Sequence, residues 1–414
     1  LTVSGNRAWV GGVVTSASRP DWIGGETGWS VEDNGTSYDR ISLMYRPSPS
    51  GSGLAQWVCD SQPDEITPNL TIERGSVQIS TGPEGPAGPP VKPGPILTPT
   101  QYCSDGAPES VVTFEDPDFE AIVRRALGLS DGDVLDCATA STLTALGAGG
   151  SESSEISSVW GAQNLVGLEA LNLRITHCDI LPCGSVSDLT PLAGLSELRY
   201  LDLGRRRLPS IQPLAGLTNL EELHLFGAES IFDLTPLARL TSLTVLSLAN
   251  NPITDLTPLA RLTSVADLNL VNTGVSDLTP LSGMTGMRVM FIGTNPGTEM
   301  DVTPIAQMTA LEILGLGFNG ISDVSVLANF SQLRWLDLGD NQISDISSLQ
   351  GLTALDQVWL YGNRTLSDIR PLVDNSGLQA GDQVNLADVS SELSCSDVSA
   401  LQDRGVAVEI TTCS

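Results

Sequence analysis

Basic residues are scarce in this sequence. Against 49 Asp+Glu stand 20 Lys+Arg, a formal net charge of −29 over 414 residues. Such a charge repels nucleic-acid phosphates and anionic membrane surfaces, and no basic run offsets it locally. Nucleic acid is therefore excluded as a partner, and solubility accounts for the acidity better than a dedicated cationic ligand does. No stretch approaches the roughly 20 unbroken apolar residues that span a bilayer, so no membrane insertion is expected. Histidine is limited to His177 and His224. With no HExxH and no serine in a G-x-S-x-G setting, nothing supports catalysis, and no catalytic residue, cofactor or metal is expected. The 7 cysteines form no CxxC pair. Several fall at element ends, where disulfides staple a chain, which points to an oxidising compartment. No leader segment is visible, and a start at Leu1 is expected of a mature or excised fragment.

A chain of this length exceeds one ordinary core unless repeats extend it. Residues 1–80 read as short strands, among them Ala8-Trp9-Val10, Gly28-Trp29-Ser30-Val31 and Arg40-Ile41-Ser42-Leu43-Met44-Tyr45, separated by Gly, Asn, Asp and Pro. They predict a small all-β sandwich-like domain. Residues 81–102 form a Pro/Gly-rich linker whose three Gly-X-Y triplets are too few for a triple helix, so a polyproline II spacer is expected. A cap over 103–164 follows. Asp116 with Pro117 starts a helix whose apolar face is Phe119, Ile122, Val123, Ala126 and Leu127, with Gly128 at its exit.

From Leu165 the chain repeats. Units begin at Leu165, Leu195, Leu217, Leu240, Leu262, Met284, Met308, Phe330 and Leu352, spaced 22 to 24 residues apart after a first interval of 30. Leu240 to Leu259 gives the pattern L-x-x-L-x-x-L-x-L-x-x-N-x-I-x-D-L-T-P-L. Its x-L-x-L-x segment alternates, so Leu246 and Leu248 point inward while Val245, Ser247 and Ala249 point outward. One unit has nothing to bury its leucines against, but stacked units pair these strands in parallel over a continuous core. Asn251, Asn295, Asn319, Asn341 and Asn363 share one phase after the strand, where an inward amide can bond backbone groups of adjacent turns. Arg206 and Thr273 break that phase, so the ladder is expected to be imperfect there. The fold class is an α/β solenoid of nine leucine-rich repeats over 165–374, one parallel strand each with short 3₁₀ turns opposite, closed by a cap over 375–414.

These units resemble the 22-residue repeats of the internalin-like bacterial surface proteins, over roughly Phe114 to Ser414. The resemblance implies a curved solenoid, a ligand surface on its concave side, and a protein partner bound outside a bacterial cell. The stretch from Ser4 to Gly12 is similar to part of a β domain in other secreted bacterial proteins.

An acidic ladder runs through Asp188, Asp233, Asp255, Asp277, Asp301, Asp323, Asp345 and Asp368. Calcium would need several oxygens clustered per ion, so capping of the following turn is the better reading. Gly315-x-Gly317-x-x-Gly320 matches a dinucleotide fingerprint by coincidence of repeat phase, since no βαβ unit surrounds it. Asp131-Gly-Asp133 lacks the remaining ligands of an EF-hand and reads as a turn. His177, Cys178, Asp179 and Cys183 cluster in the long first repeat, where a loop disulfide is preferred over zinc. Placement pairs Cys103 with Cys137, Cys178 with Cys183, and Cys395 with Cys413 around a helix begun by Ser396, and leaves Cys59 over.

The outward strand positions are the most informative. Only 7 Trp, 5 Tyr and 7 Phe occur in the whole chain, yet the outward columns collect Tyr200, Glu222, His224, Phe226, Val289, Phe291, Ile313, Trp335, Asp337, Trp359 and Tyr361. Solvent-facing positions have no packing need for tryptophan, and clustered exposed aromatics mark interaction sites. The site is centred on Trp335, Trp359 and Tyr361, with Phe291 and Ile313 extending it. Gly293, Gly317 and Gly339 are expected to leave a trough beside it. Asp337, Asp202 and Glu222 favour basic groups at the partner's rim. The sequence thus predicts a secreted or cell-surface, adhesin-like or receptor-like module with a protein ligand on its concave face. Self-association in a surface layer or filament, and a carbohydrate binder or enzyme inhibitor, are the alternatives.

Overall fold

The computed structural model describes residues 2–4, 7–13, 26–32, 40–46, 94–130, 132–148, 155–176, 184–293 and 299–414. The chain divides into two compact units, Leu1–Lys92 and Pro93–Ser414. In the first, β1 (Thr2–Ser4), β2 (Arg7–Val13), β3 (Glu26–Glu32) and β4 (Arg40–Arg46) form one antiparallel sheet in chain order. A second layer, as a sandwich requires, Cys59 and residues 81–93 of the linker lie outside the described residues.

The second unit begins inside the expected linker. Ile96 bridges Val111, the Gly94 N–H donates to Glu109 O, and Leu97 is buried, so residues 94–102 belong to the cap. The cap helix, Pro117–Ala126, is capped by Asp116, whose carboxylate accepts from the Asp118 and Phe119 N–H groups. Phe119, Ile122 and Val123 face the core. Ala126 is exposed instead, because the helix ends there, and Gly128 takes φ 70° beyond it. A disulfide joins Cys103 to Cys137.

The strands of this unit are β5 (Ala145–Gly147), β6 (Ala170–Asn172), β7 (Gly184–Ser185), β8 (Tyr200–Asp202), β9 (Arg206–Arg207) and β10 (Glu222–His224). They continue as β11 (Val245–Ser247), β12 (Asp267–Asn269), β13 (Val289–Phe291), β14 (Ile313–Gly315), β15 (Trp335–Asp337), β16 (Gln357–Trp359), β17 (Gln383–Leu386) and β18 (Ala407–Ile410). Twelve of them build one sheet in the order β18 to β10, β8, β6, β5. Its pairings are parallel, with identical repeat positions side by side, as in Leu246↔Leu268. Each repeat adds one strand, and the sheet runs past the repeats at both ends, through β5 in the N-terminal cap and β17 and β18 in the C-terminal one. Those strands carry the same inward apolar positions, Leu146, Val384 and Val408, without the repeat consensus around them. β7 and β9 form a separate parallel pair.

Beneath the sheet lies a continuous apolar core, with Leu223, Leu246, Leu268, Met290, Leu314 and Leu336 in one layer. Strands β8, β10 to β12 and β14 to β16 lead into a turn with positive φ, at Arg205 (66°), Gly227 (69°), Asn250 (56°), Asn272 (54°), Phe318 (61°), Asp340 (50°) and Gly362 (73°). Next comes the asparagine ladder. Asn341 Nδ2 donates to Leu316 O and Leu338 O at 2.9 Å, while its Oδ1 accepts from the Asn319 and Ile321 N–H groups at 3.1 and 3.0 Å. Asn251, Asn319 and Asn363 are buried alike; Asn295 lies outside the described residues. The two departures differ. Among the described residues the Thr273 side chain keeps one bond, from its hydroxyl to Leu270 O. Arg206 does not weaken the ladder as expected: it is fully buried, and its guanidinium donates to Leu173 O and to Ile156 O in the cap. Its length lets it reach a group that an asparagine could not.

On the opposite side, short 3₁₀ turns such as Thr257–Arg261 close each repeat. The acidic ladder caps them. Asp255 Oδ1 accepts from the Thr257 N–H at 2.8 Å, and Asp233, Asp277, Asp323 and Asp368 do the same two residues on. The C-terminal helix, Cys395–Asp403, is capped two residues earlier than expected, because Ser394 rather than Ser396 accepts from the Asp397 N–H. The Cys395–Cys413 disulfide encloses it. His177, Cys178, Asp179 and Cys183 lie outside the described residues.

Candidate functional site

The solvent face of the long sheet carries three columns of side chains, set by strand alternation and by the in-register pairing of repeats. The first column runs Tyr200, Glu222, Val245, Asp267, Val289, Ile313, Trp335, Gln357. The second runs Asp202, His224, Ser247, Asn269, Phe291, Gly315, Asp337, Trp359. The third follows two residues later and includes Phe226, Ala249, Gly293, Gly317, Gly339 and Tyr361. Ala249, read as outward, is 5 % exposed because its neighbours cover so small a side chain.

The predicted site residues fall into two clusters. At the N-terminal end Tyr200 and His224 lie 5.6 Å apart between ring centroids, and Glu222 and Phe226 stand beside them. Phe226 lies flat over Gly204, where a Cβ would approach its ring to 2.3 Å, and it receives the Arg174 guanidinium at 4.7 Å. Asp202 is not a rim charge: it is 2 % exposed, and its carboxylate accepts from the Gly204 N–H. Burial raises its carboxyl above the usual range, with the nearby His224 and Arg174 opposing. Burial likewise raises Asp267.

The C-terminal cluster is the larger aromatic one. Phe291 and Trp335 are 5.6 Å apart, and Trp335 and Trp359 are 6.3 Å apart, all tilted. Val289 flanks this group. Ile313, expected to extend the surface, is 8 % exposed and serves as its floor, since it sits between Val289 and Trp335 on adjacent strands. Tyr361 is joined by Phe318 at 6.4 Å. The expected trough is only partly open. Tyr361 covers Gly339, where a Cβ would come within 2.2 Å of the ring, and Phe291 covers Gly315 at 2.6 Å. Gly317 carries no ring; a Cβ there would meet the Asp337 carboxylate at 3.3 Å.

Phe318 was not legible as a site residue. It occupies the turn position with φ 61°, where Asn, Asp or Gly is favoured and a bulky side chain is strained. It is also 45 % exposed. The signal was present as the one aromatic in a turn column that also holds Arg205, Gly227, Asn250, Asn272, Asp340 and Gly362. The Trp359 indole N–H is buried with no hydrogen-bond partner among the described residues, an uncommon state for so polar a group. Asp337 Oδ1 accepts from the Gly339 N–H at 2.8 Å. Burial raises the Asp337 carboxyl and the neighbouring Asp340 adds to the effect. Tyr361 is raised by burial and by the same two carboxylates.

Arginines near the face are engaged along its lower rim, each with the acid one repeat further on: Arg199 with Glu221, Arg288 with Glu312 and Arg334 with Asp356. No group of His, Cys, Asp and Glu among the described residues is arranged to hold a metal ion. No helix of the described residues is long and apolar enough to cross a membrane.

Comparison with known proteins agrees with this architecture. A family model described as leucine-rich repeats (2 copies) matches residues 241–283 and 331–374. No curated protein sequence matches the chain. Among solved structures, the functional domain of InlJ from Listeria monocytogenes, which includes a cysteine ladder, is 22 % identical. That match covers 72 % of this chain and 69 % of that one, with a TM-score of 0.50. An internalin C2 of the same organism is 32 % identical over 58 % of this chain and 91 % of its own, with a TM-score of 0.44. The internalin InlF of Listeria monocytogenes is 31 % identical, with 72 % of this chain and 91 % of that chain covered and a TM-score of 0.60. At that identity and coverage, the chain belongs to the internalin family of leucine-rich-repeat proteins.

Proposed function

We propose that this chain is an extracellular protein-binding module, adhesin-like or receptor-like, which holds its ligand on the concave face of the sheet at the C-terminal aromatic cluster. The observation that carries the reading is the run Phe291, Trp335 and Trp359 on three of the four adjacent strands β13 to β16 of a solvent face. The leucine core beneath is complete without these rings, so packing does not require them. Large aromatics in a contiguous patch are the residues that dominate protein interfaces. Two disulfides suit a secreted or cell-surface setting.

The test places a photo-crosslinking residue at Gln357, on the sheet face, or at Gln350, on the far side of the preceding repeat. Incubation with surface-exposed protein preparations should yield a discrete adduct from Gln357 alone. Equal adducts from Gln350, or an adduct with a second copy of this chain only, would overturn the reading in favour of another face or of self-assembly.

A further inference from the structure

The aromatic cluster surrounds negative charge that nothing in its vicinity balances. Asp337 stands between Gly315 and Trp359 across the sheet, two residues beyond Trp335 on the same face. Asp340 follows on the next turn beside Phe318, whose N–H reaches the Gly339 carbonyl. No ion pair among the described residues involves either carboxylate, whereas Arg288 and Arg334 are already held by Glu312 and Asp356. Among the described residues Asp337 accepts one hydrogen bond, from the Gly339 N–H, which leaves lone pairs on both oxygens. Gly317 beside it offers no side chain, so the carboxylate is approached over an uncovered floor. Indole and phenol rings attract a cation through their faces, and a planar guanidinium adds paired hydrogen bonds to a carboxylate.

We propose that Asp337 and Asp340, framed by Trp335, Trp359, Tyr361 and Phe318, form a subsite for one arginine side chain of the protein ligand. The inference rests on the ligand face assigned above and names the chemistry of its anchor. The guanidinium stacks on the rings and its N–H groups donate to Asp337. Asp340 supplies the second negative charge at the mouth. The N-terminal cluster differs, because Arg174 and His224 already face Asp202 there.

The probe is N-acetyl-arginine methylamide, titrated into the whole chain and followed by tryptophan fluorescence and NMR. Its neutral isostere, N-acetyl-citrulline methylamide, and N-acetyl-lysine methylamide serve as comparisons. The arginine compound should bind at least about tenfold more tightly than the citrulline compound and measurably better than the lysine one. Asp337→Asn should weaken arginine binding about tenfold. Asp267→Asn, which removes another buried carboxylate of this face remote from the rings, should change it less than about twofold. Equal binding of arginine and citrulline overturns the subsite on the unmodified chain alone, whatever the variants do. Equal effects of the two Asp→Asn changes assign the binding to overall charge, and equal binding of lysine removes the guanidinium; either result overturns the proposal. Loss of the Gln357 adduct in Trp335→Ala/Trp359→Ala, without arginine preference, would sink the subsite and leave the ligand face standing. Arginine preference with an unchanged adduct in that variant would sink the ligand face.

Discussion

Asn341→Ala tests how the repeats are held together. The side chain serves five backbone groups, the Gly339 carbonyl at 3.3 Å among them, but their dependence on it is unequal. Leu316 O is also bonded by Asn319, and Leu338 O by Asn363, so both carbonyls keep a partner when Asn341 is truncated. The N–H groups of Asn319 and Ile321 donate to Asn341 Oδ1, at 3.1 and 3.0 Å, and lose that acceptor on truncation, and both residues are fully buried. Each stranded donor costs about 1–3 kcal/mol, so the variant should lose about 3 kcal/mol or somewhat more. At a urea slope of about 3 kcal/mol per M, the unfolding midpoint should fall by about 1 M. Asn341→Thr should recover little, because at the equivalent place the Thr273 hydroxyl donates to Leu270 O, the counterpart of a carbonyl that keeps its partner in any case. Urea unfolding followed by far-UV circular dichroism decides the matter. A loss under about 1 kcal/mol, or a threonine variant as stable as the unmodified chain, would refute the ladder as a principal tie between repeats.

Further expectations concern single groups. Arg206→Ala opens a cavity and strands the Leu173 and Ile156 carbonyls, so thermal unfolding should report a loss of about 3 kcal/mol or more. Reduction of Cys395–Cys413 releases a closure of 18 residues worth about 3 kcal/mol, and hydrogen exchange should rise in the Cys395–Asp403 helix and β18 while β10 to β13 stay protected. Asp368 is held down to about 2, chiefly by the Arg370 side chain and N–H, so it adds stability above the ordinary carboxylate range that is lost as pH falls towards 2. An acid titration of Asp368→Ala should lack that part of the loss. Asp337 has the opposite sign: burial raises it, so its charge opposes folding once pH exceeds its folded value. Asp337→Asn should therefore raise the thermal midpoint at neutral pH, with the Gly339 N–H still accepted by the amide oxygen. A lowered midpoint would contradict that assignment.

Much of the array was legible because leucine phase, strand register and turn chemistry all repeat every 22 to 24 residues, so each unit corroborates the next. The capping role of the acidic ladder followed from its distance to the next turn. Features outside the period were harder. β5, β17 and β18 have inward apolar residues but no consensus to announce them. Arg206 reads as a defect in an asparagine column until its reach to Ile156 is seen. Residues 94–102 have linker composition, yet Leu97 is buried and Ile96 bridges Val111. At the candidate site, the period placed Phe291, Trp335, Trp359 and Tyr361 on one face. It could not show that Tyr361 and Phe291 fold over the glycines, since that depends on side-chain rotamers. The same rings make Trp335 and Trp359 half-buried against each other, so truncating both should cost about 1–2 kcal/mol of stability rather than none.

The most direct test of the central claim is the affinity of Trp335→Ala/Trp359→Ala for the protein crosslinked at Gln357, measured at a temperature where circular dichroism shows the array folded. Loss of two anchor rings from the ligand face predicts binding at least about thirtyfold weaker. Unchanged affinity in the folded double variant would contradict the account.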